Sequence, residues 1–326
     1  MGYITKYGSF WGMLPQTSGN VYWVAPAASY TVEGRSYSAS DDNDGLSPER
    51  AMLTADAAHN KCAANVGDVI VLLPGTHSWS ATVALDTAGV TVTGIPGAAR
   101  HAGSRQNSGG KRCKSTATCT ATAGIIFTVT AADVEIAHIA MLPAAAGGRG
   151  ISASNLADRL FVHDCTFAAI ATASVTTYGI TRANSITDPL EDVLVSHCYF
   201  QSGLSDSTGA NGAGVALLGS CHGFTIENST FELKGTAAWA DAILSSSAGT
   251  VGLVVRDCDF INPTSATTVI TTAINTTGQT IDASTQVHRC YVGAGTDGAT
   301  ATAMADIVLT ESYTANSSGG TIILNG

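Results

Sequence analysis

Apolar and polar residues alternate in a short window that recurs along this chain. Arg159 to Phe167 reads RLFVHDCTF, Asp192 to Phe200 reads DVLVSHCYF, Gly223 to Phe231 reads GFTIENSTF, and Gly252 to Phe260 reads GLVVRDCDF. Weaker copies lie at Asp133 to Met141 (DVEIAHIAM) and Ser284 to Val292 (STQVHRCYV). The copies end at positions 141, 167, 200, 231, 260 and 292, in steps of 26, 33, 31, 29 and 32 residues. Self-similarity at such an interval is the mark of a solenoid.

Four positions carry the pattern in each copy, as at Leu160, Val162, Cys165 and Phe167. Period two holds on either side but fails between the second and third, where two residues intervene. A strand that bends there and resumes keeps all four side chains inward. Stacking such turns in parallel sets equivalent side chains about 4.8 Å apart. A helical repeat is disfavoured, because the windows are rich in β-branched and aromatic residues and lack apolar spacing of three and four. The pattern predicts an all-β, single-stranded right-handed parallel β-helix.

The rest of the chain divides around that core. Residues 1–20 form an aromatic arm with Tyr7, Phe10 and Trp11. Residues 21–66 hold a strand at Val21 to Val24, a polar turn, and a short helical stretch from about Pro48 to Asn60. The β-helix is expected over 67–292, with an inserted loop at about 98–120. Shorter insertions fall at 143–150, 172–188, 203–214 and 234–249, all on one side of the repeat. Residues 293–326 supply final coils or a closing hairpin, built on Ile307-Val308-Leu309 and Ile322-Ile323-Leu324.

Two stretches carry a resemblance to a known class. Asp41-Asp42-Asn43-Asp44-Gly45-Leu46-Ser47-Pro48 leads into the helical stretch, and Gly67-Asp68-Val69-Ile70-Val71-Leu72-Leu73-Pro74-Gly75 follows it. This order of parts resembles the opening of right-handed parallel β-helix proteins of the pectate-lyase-like class. The layout is frequent among bacteriophage head and tail appendages. The resemblance implies a helix that caps the open end of the solenoid, and a homo-oligomer, a trimer first of all. Asp41 to Asp44 superficially suggest calcium, but the distal Glu of an EF-hand is missing. A structural turn is preferred, and no cofactor or metal is expected.

Composition narrows the function. Only 12% of residues are charged while 45% are hydrophobic, against disorder. The net charge of −10 argues against a nucleic-acid partner. No run of about 18 apolar residues suggests a membrane span. The opening Met1-Gly2-Tyr3-Ile4-Thr5-Lys6 lacks the features of a signal peptide, so synthesis in a host cytoplasm and assembly into a virion are expected. Arg100, Arg105, Lys111, Arg112 and Lys114 cluster without an acidic neighbour from residue 87 to 132. They form either a solvated loop or a grip on an acidic surface. Arg105, Lys111, Arg112 and Lys114, together with Tyr7, Phe10 and Trp11, are the candidate particle or subunit contacts.

Candidate chemistry is thin. Cys165, Cys198, Cys258 and Cys290 share one inward column, which suits free thiols packed as small hydrophobes. Cys113 and Cys119 are left as the one plausible disulfide. The outward columns hold Asp164, His197, Asn228, Asp257 and Arg289, beside His163, Ser196, Glu227, Arg256 and His288. Glu227 facing Arg256 and Asp257 facing Arg289 suggest a ladder of opposite charges. Asp164 and Asp257 are three coils apart, roughly 14 Å, too far for a glycosidase pair. No catalytic residue is assigned. Tyr178, Tyr199, Trp239 and Tyr291 are candidate contacts with a sugar or a partner. The expected function is a non-enzymatic phage virion protein, a head decoration protein or short fibre, that could touch host-surface polysaccharide. The alternative is a spike-type depolymerase or polysaccharide lyase.

Overall fold

The computed structural model describes residues 18–96, 113–121, 124–143, 147–168, 178–182, 188–201, 212–232, 241–245, 250–261, 272–275 and 285–292. It also describes the backbone of three later strands, Val308–Thr310, Tyr313–Thr314 and Ile323–Leu324. The arm residues Tyr7, Phe10 and Trp11, the basic residues Arg105, Lys111 and Arg112, and Trp239 lie outside the described residues.

One turn of the chain shows why the repeat folds as it does. Phe161–His163 is a strand whose middle residue, Val162, faces inward. Asp164 bends the backbone with φ at 51°, and Thr166–Ala168 resumes as a second strand with Phe167 inward. Tyr178–Arg182 then forms a third strand before Leu194–Ser196 begins the next turn one rung along. Each strand pairs in parallel with its counterparts, as at Val162 with Val195 and Phe167 with Phe200.

Among the described residues, repetition builds two ten-stranded sheets and one of seven strands. The fold is a right-handed parallel β-helix. Its stack begins earlier than position 67, because Val21–Val24 already pairs in parallel with Val69–Leu72. At the other end Val308–Thr310 adds a rung to the first sheet, while Ile323–Leu324 runs antiparallel to Tyr313–Thr314. The two C-terminal apolar runs therefore split, one into a coil and one into a closing pair. An antiparallel hairpin, Ser29–Val32 with Arg35–Ser38, was not visible in the apolar pattern.

The third sheet corrects the sequence reading. Arg149–Ala153, Tyr178–Arg182, Ala213–Leu217 and Asp241–Ser245 overlap or lie within the segments read as insertions. Their small residues hid them, and their packing explains the small residues. A Cβ at Gly150, Gly179 or Gly214 would lie 2.7, 2.8 and 2.8 Å from the rings of Phe167, Phe200 and Phe231. Those rings stack with Phe260 in one column, with centroids 4.8, 4.6 and 5.0 Å apart and nearly parallel planes. Glycine leaves room for the ring at Phe167, Phe200 and Phe231.

The inward cysteines also repeat. The thiols of Cys165, Cys198, Cys258 and Cys290 are buried, and each points at a carbonyl of the preceding rung (Ile136, Val162, Ile226 and Val255). Burial pushes the Cys165 and Cys258 thiols well above their ordinary pKa, which makes them poor nucleophiles. Cys113 and Cys119 are free as well. Ser115–Cys119 is an extended strand spanning about 13 Å, beyond disulfide reach. The same strand shows that the insertion at 98–120 ends sooner than expected, since Lys114 and the residues after it belong to the stack.

The polar turn and the helix close the first end. Asp41 Oδ1 accepts from the amides of Leu53 and Thr54, and its Oδ2 accepts from the Thr54 hydroxyl. Thr54 in turn caps helix α1, Ala55–His59, by accepting from the Ala57 amide. Asp44 accepts from the Leu46 amide and pairs with Arg50. These carboxylates hold a turn and a cap together. Ala55 and Ala58 of α1 then bury against the core that includes Val83 and Leu85.

Candidate functional site

The bend between the first and second sheets repeats one unusual backbone state. His138, Asp164, His197, Asn228, Asp257 and Arg289 occupy it on successive rungs with φ between 47° and 57°. Few residues other than glycine adopt this region, with Asn, Asp and His over-represented there. The state turns each amide along the stack, so that Asp164 N bonds Ser196 O at 3.1 Å and Asp257 N bonds His288 O at 3.0 Å. Hydrogen bonding thus continues round the corner, and the side chains at the bend project as a column beside the outward residues of the first sheet.

Toward the C-terminal rungs this ribbon is made of clasps. Arg256 Nε donates to Glu227 at 2.7 Å, and Arg289 grips both oxygens of Asp257 at 2.7 Å each. The ladder read from the sequence is present. An equivalent clasp, Arg159 to both oxygens of Asp133 at 2.6 and 2.7 Å, joins an earlier pair of bends. Its arginine holds the Asp133 carboxyl below the usual range.

Ser196 and His197 look at first like a nucleophile and its base. Ser196 Oγ lies 2.7 Å from His197 Nδ1 and 3.1 Å from Glu227 Oε1. The hydroxyl has one proton, and the carboxylate can only accept it. His197 Nδ1 must therefore carry its own proton, which is the wrong tautomer to activate Ser196. The group is a hydrogen-bonded link in the ladder.

The N-terminal rungs differ. His163 sits between two carboxylates, with Nε2 2.8 Å from Glu135 Oε1 and Nδ1 2.9 Å from Asp164 Oδ2. Thr91 Oγ1 donates to the other Glu135 oxygen at 3.1 Å. The Phe161 ring stacks on His163 at 4.3 Å, and His138 meets it edge-on at 5.6 Å. Burial alone would lower the His163 pKa, but hydrogen bonds to Asp164 and Glu135 outweigh it and raise the value to about 9. The His163 hydrogen bond lowers Glu135 in return. Burial pushes His138 the other way, toward the neutral imidazole.

Sequence reasoning missed this cluster. It placed His163 and Asp164 in their columns but did not carry the columns back to the weak first copy. There, His138 is the counterpart of Asp164, and Glu135 is the counterpart of Phe161, two residues before His163. That register was the available signal.

The predicted contact aromatics separate. Tyr291 is 41% exposed and Tyr178 half-buried, but Tyr199 is only 1% exposed. Tyr199 points away from the core, yet its neighbours Thr166 and Thr230 are buried too. Cys113 is also buried there and reaches the Asp164 carbonyl at 3.4 Å. The outer face of the second sheet is covered at these rungs, so Tyr199 is no surface platform. Lys114 is exposed.

A cavity of about 570 Å³ lies near the capped end, lined by Pro26, Leu53, Asp56, His77 and Trp79 among others. His77 is buried beneath it with Nε2 2.8 Å from the Leu73 carbonyl, and Nδ1 has no hydrogen-bond partner. Burial lowers its pKa to about 4.

No known protein family matches the chain, and no curated protein does. Among solved structures the chain is similar to Escherichia coli ybhc, at 11% identity over 86% of this chain and 74% of that one, with a TM-score of 0.49. Pectin methylesterase PemA from Erwinia chrysanthemi aligns at 10% identity over 91% and 93% of the two chains, with a TM-score of 0.43. A third, ORF18 of Geobacillus virus E2, aligns at 12% identity over 79% of this chain and 56% of that one, with a TM-score of 0.33. The parallel β-helix itself is established by this chain's own strand pairing. No helix among the described residues is long and apolar enough to cross a membrane.

Proposed function

We propose that this protein is a non-enzymatic structural component of a bacteriophage virion, a head decoration protein or short fibre, assembled as a homotrimer with other virion proteins. One observation carries the reading. The carboxylates along the outer ribbon (Asp133, Glu135, Asp164, Glu227 and Asp257) are engaged by Arg159, His163, Arg256 and Arg289 on their own or adjacent rungs. Charges spent on holding neighbouring rungs together serve a stiff rod better than a reaction. The resemblance of residues 40–77 to the opening of pectate-lyase-like β-helix proteins, a layout frequent among phage appendages, supports the placement on a particle. Of the candidate contact aromatics among the described residues, exposed Tyr291 and half-buried Tyr178 are available to a host polysaccharide or a second subunit.

The test has two parts. Mass spectrometry of purified particles should find this chain in fixed stoichiometry, and its absence from particles ends the proposal. Incubation of the purified protein with host capsule or lipopolysaccharide should leave chain length unchanged. Shortened chains would replace the structural reading with a depolymerase.

A further inference from the structure

The sequence pointed to no metal, but the bend geometry assembles donors that it kept apart. We propose that His138, His163 and Asp164 form a binding site for a divalent first-row transition ion of the zinc type. One ligand atom from each residue lies within 4.8 Å of the other two. Donors sharing a tetrahedral zinc at about 2.0–2.2 Å stand roughly 3.4 Å apart, so His138 closes by about an ångström while His163 Nδ1 and Asp164 Oδ2, 2.9 Å apart, open by about half of one. Two imidazoles and one carboxylate suit such an ion better than calcium or magnesium, which take oxygen ligands.

Glu135 is the independent observation. Its Oε1 lies 2.8 Å from His163 Nε2, and its Oε2 is held by Thr91 at 3.1 Å. A carboxylate on the outer nitrogen of a ligating histidine fixes the tautomer and strengthens the inner nitrogen as a donor. It assigns the proton to Nε2 and leaves Nδ1, 2.9 Å from Asp164 Oδ2, to face the shared ion. On binding, the ion replaces the proton held between Nδ1 and Asp164, and that proton leaves to solvent. The donors are fixed by the stack: His138 and Asp164 occupy the same bend on successive rungs, joined by His138 N to His163 O at 3.3 Å. A fourth coordination position remains for water or a partner's ligand.

Cobalt(II) is the probe. The full chain, stripped with chelator, is titrated with Co2+ while visible absorption is followed, and Zn2+ is then added in competition. The expected result is one tightly held Co2+ per chain with the intense band of four-coordinate cobalt, which Zn2+ abolishes. His138→Asn keeps a residue suited to positive φ and should remove the band. Glu135→Gln should weaken binding 10–100-fold while one site per chain is kept. His222→Ala, an exposed histidine on another part of the stack, should change nothing. Circular dichroism confirms folding of each variant. The proposal is overturned if the wild type shows no band, if His138→Asn keeps it, if Glu135→Gln binds as tightly as the wild type, or if a thiolate-to-cobalt band appears.

Discussion

The inside and the outside of each turn follow opposite rules. Inside, like stacks on like: Phe167, Phe200, Phe231 and Phe260 form one column, and four cysteines form another. Outside, opposites alternate: Asp133 with Arg159, Glu135 with His163, Glu227 with Arg256, and Asp257 with Arg289. The rung spacing explains both. At about 4.8 Å, identical flat rings make good offset contacts, whereas identical charges would repel. One geometry therefore selects repetition in the core and complementarity on the surface.

The largest expected effect comes from breaking the inner column. Phe200→Ala should cost about 3–5 kcal/mol, because a ring gripped on both sides leaves a cavity the sheets cannot close. Chemical denaturation measures it, and a loss below about 1 kcal/mol would show that the stack tolerates gaps.

Two histidines sharpen the contrast through pH. His77, inside, has its pKa lowered to about 4, so it stays neutral in the fold while the unfolded chain takes up a proton below about 6.5. Its contribution is present above pH 6.5 and is lost as pH falls toward 4, about 3 kcal/mol in all. His163, on the outer ribbon, has its pKa raised to about 9. In the metal-free protein its contribution is present below pH 6.5 and is lost as pH rises toward 9, by about 1–2 kcal/mol after allowance for its partial exposure. Urea midpoints across pH should show the acid loss reduced in His77→Gln and the alkaline loss reduced in His163→Gln. The reverse assignment would refute the contrast.

Gly179→Ala asks how closely the third sheet fits the rings. The new Cβ would meet the Gly214 carbonyl oxygen at 2.5 Å as well as the Phe200 ring at 2.8 Å, and overpacking of this kind costs about 1–3 kcal/mol. In Phe200→Ala protein the ring's share of that cost should disappear while the backbone share stays, and a double-mutant cycle reads the coupling. The smallest effect belongs to the outer clasps. Asp257→Asn keeps a residue tolerant of the bend and should cost about 0.2–1 kcal/mol, shrinking as salt is raised. A salt-independent loss would mean that the clasp acts through packing.

Much of the core was legible before the fold was seen. Cys165, Cys198, Cys258 and Cys290 and the four phenylalanines recur at positions where period two predicts an inward direction, and that direction is a local property of the strand. The bend was legible as a break in the alternation. Glu227 with Arg256 and Asp257 with Arg289 were legible because parallel register makes equal positions neighbours. The candidate metal site was half legible: His163 and Asp164 adjoin in the chain, whereas His138 and Glu135 come from a copy whose pattern is weak.

The sequence by itself determined the rung, namely which residues turn inward, where the strand bends and which charges meet. These follow from backbone periodicity and from a repeat that places equals over equals. Only the tertiary structure decided what covers what. Tyr199 points outward yet is buried, and the segments at Tyr178–Arg182 and Ala213–Leu217 are strands of a third sheet. Direction is set within a few residues of chain. Exposure and the convergence of His138, His163 and Asp164 depend on segments brought together from different rungs, which no local pattern records.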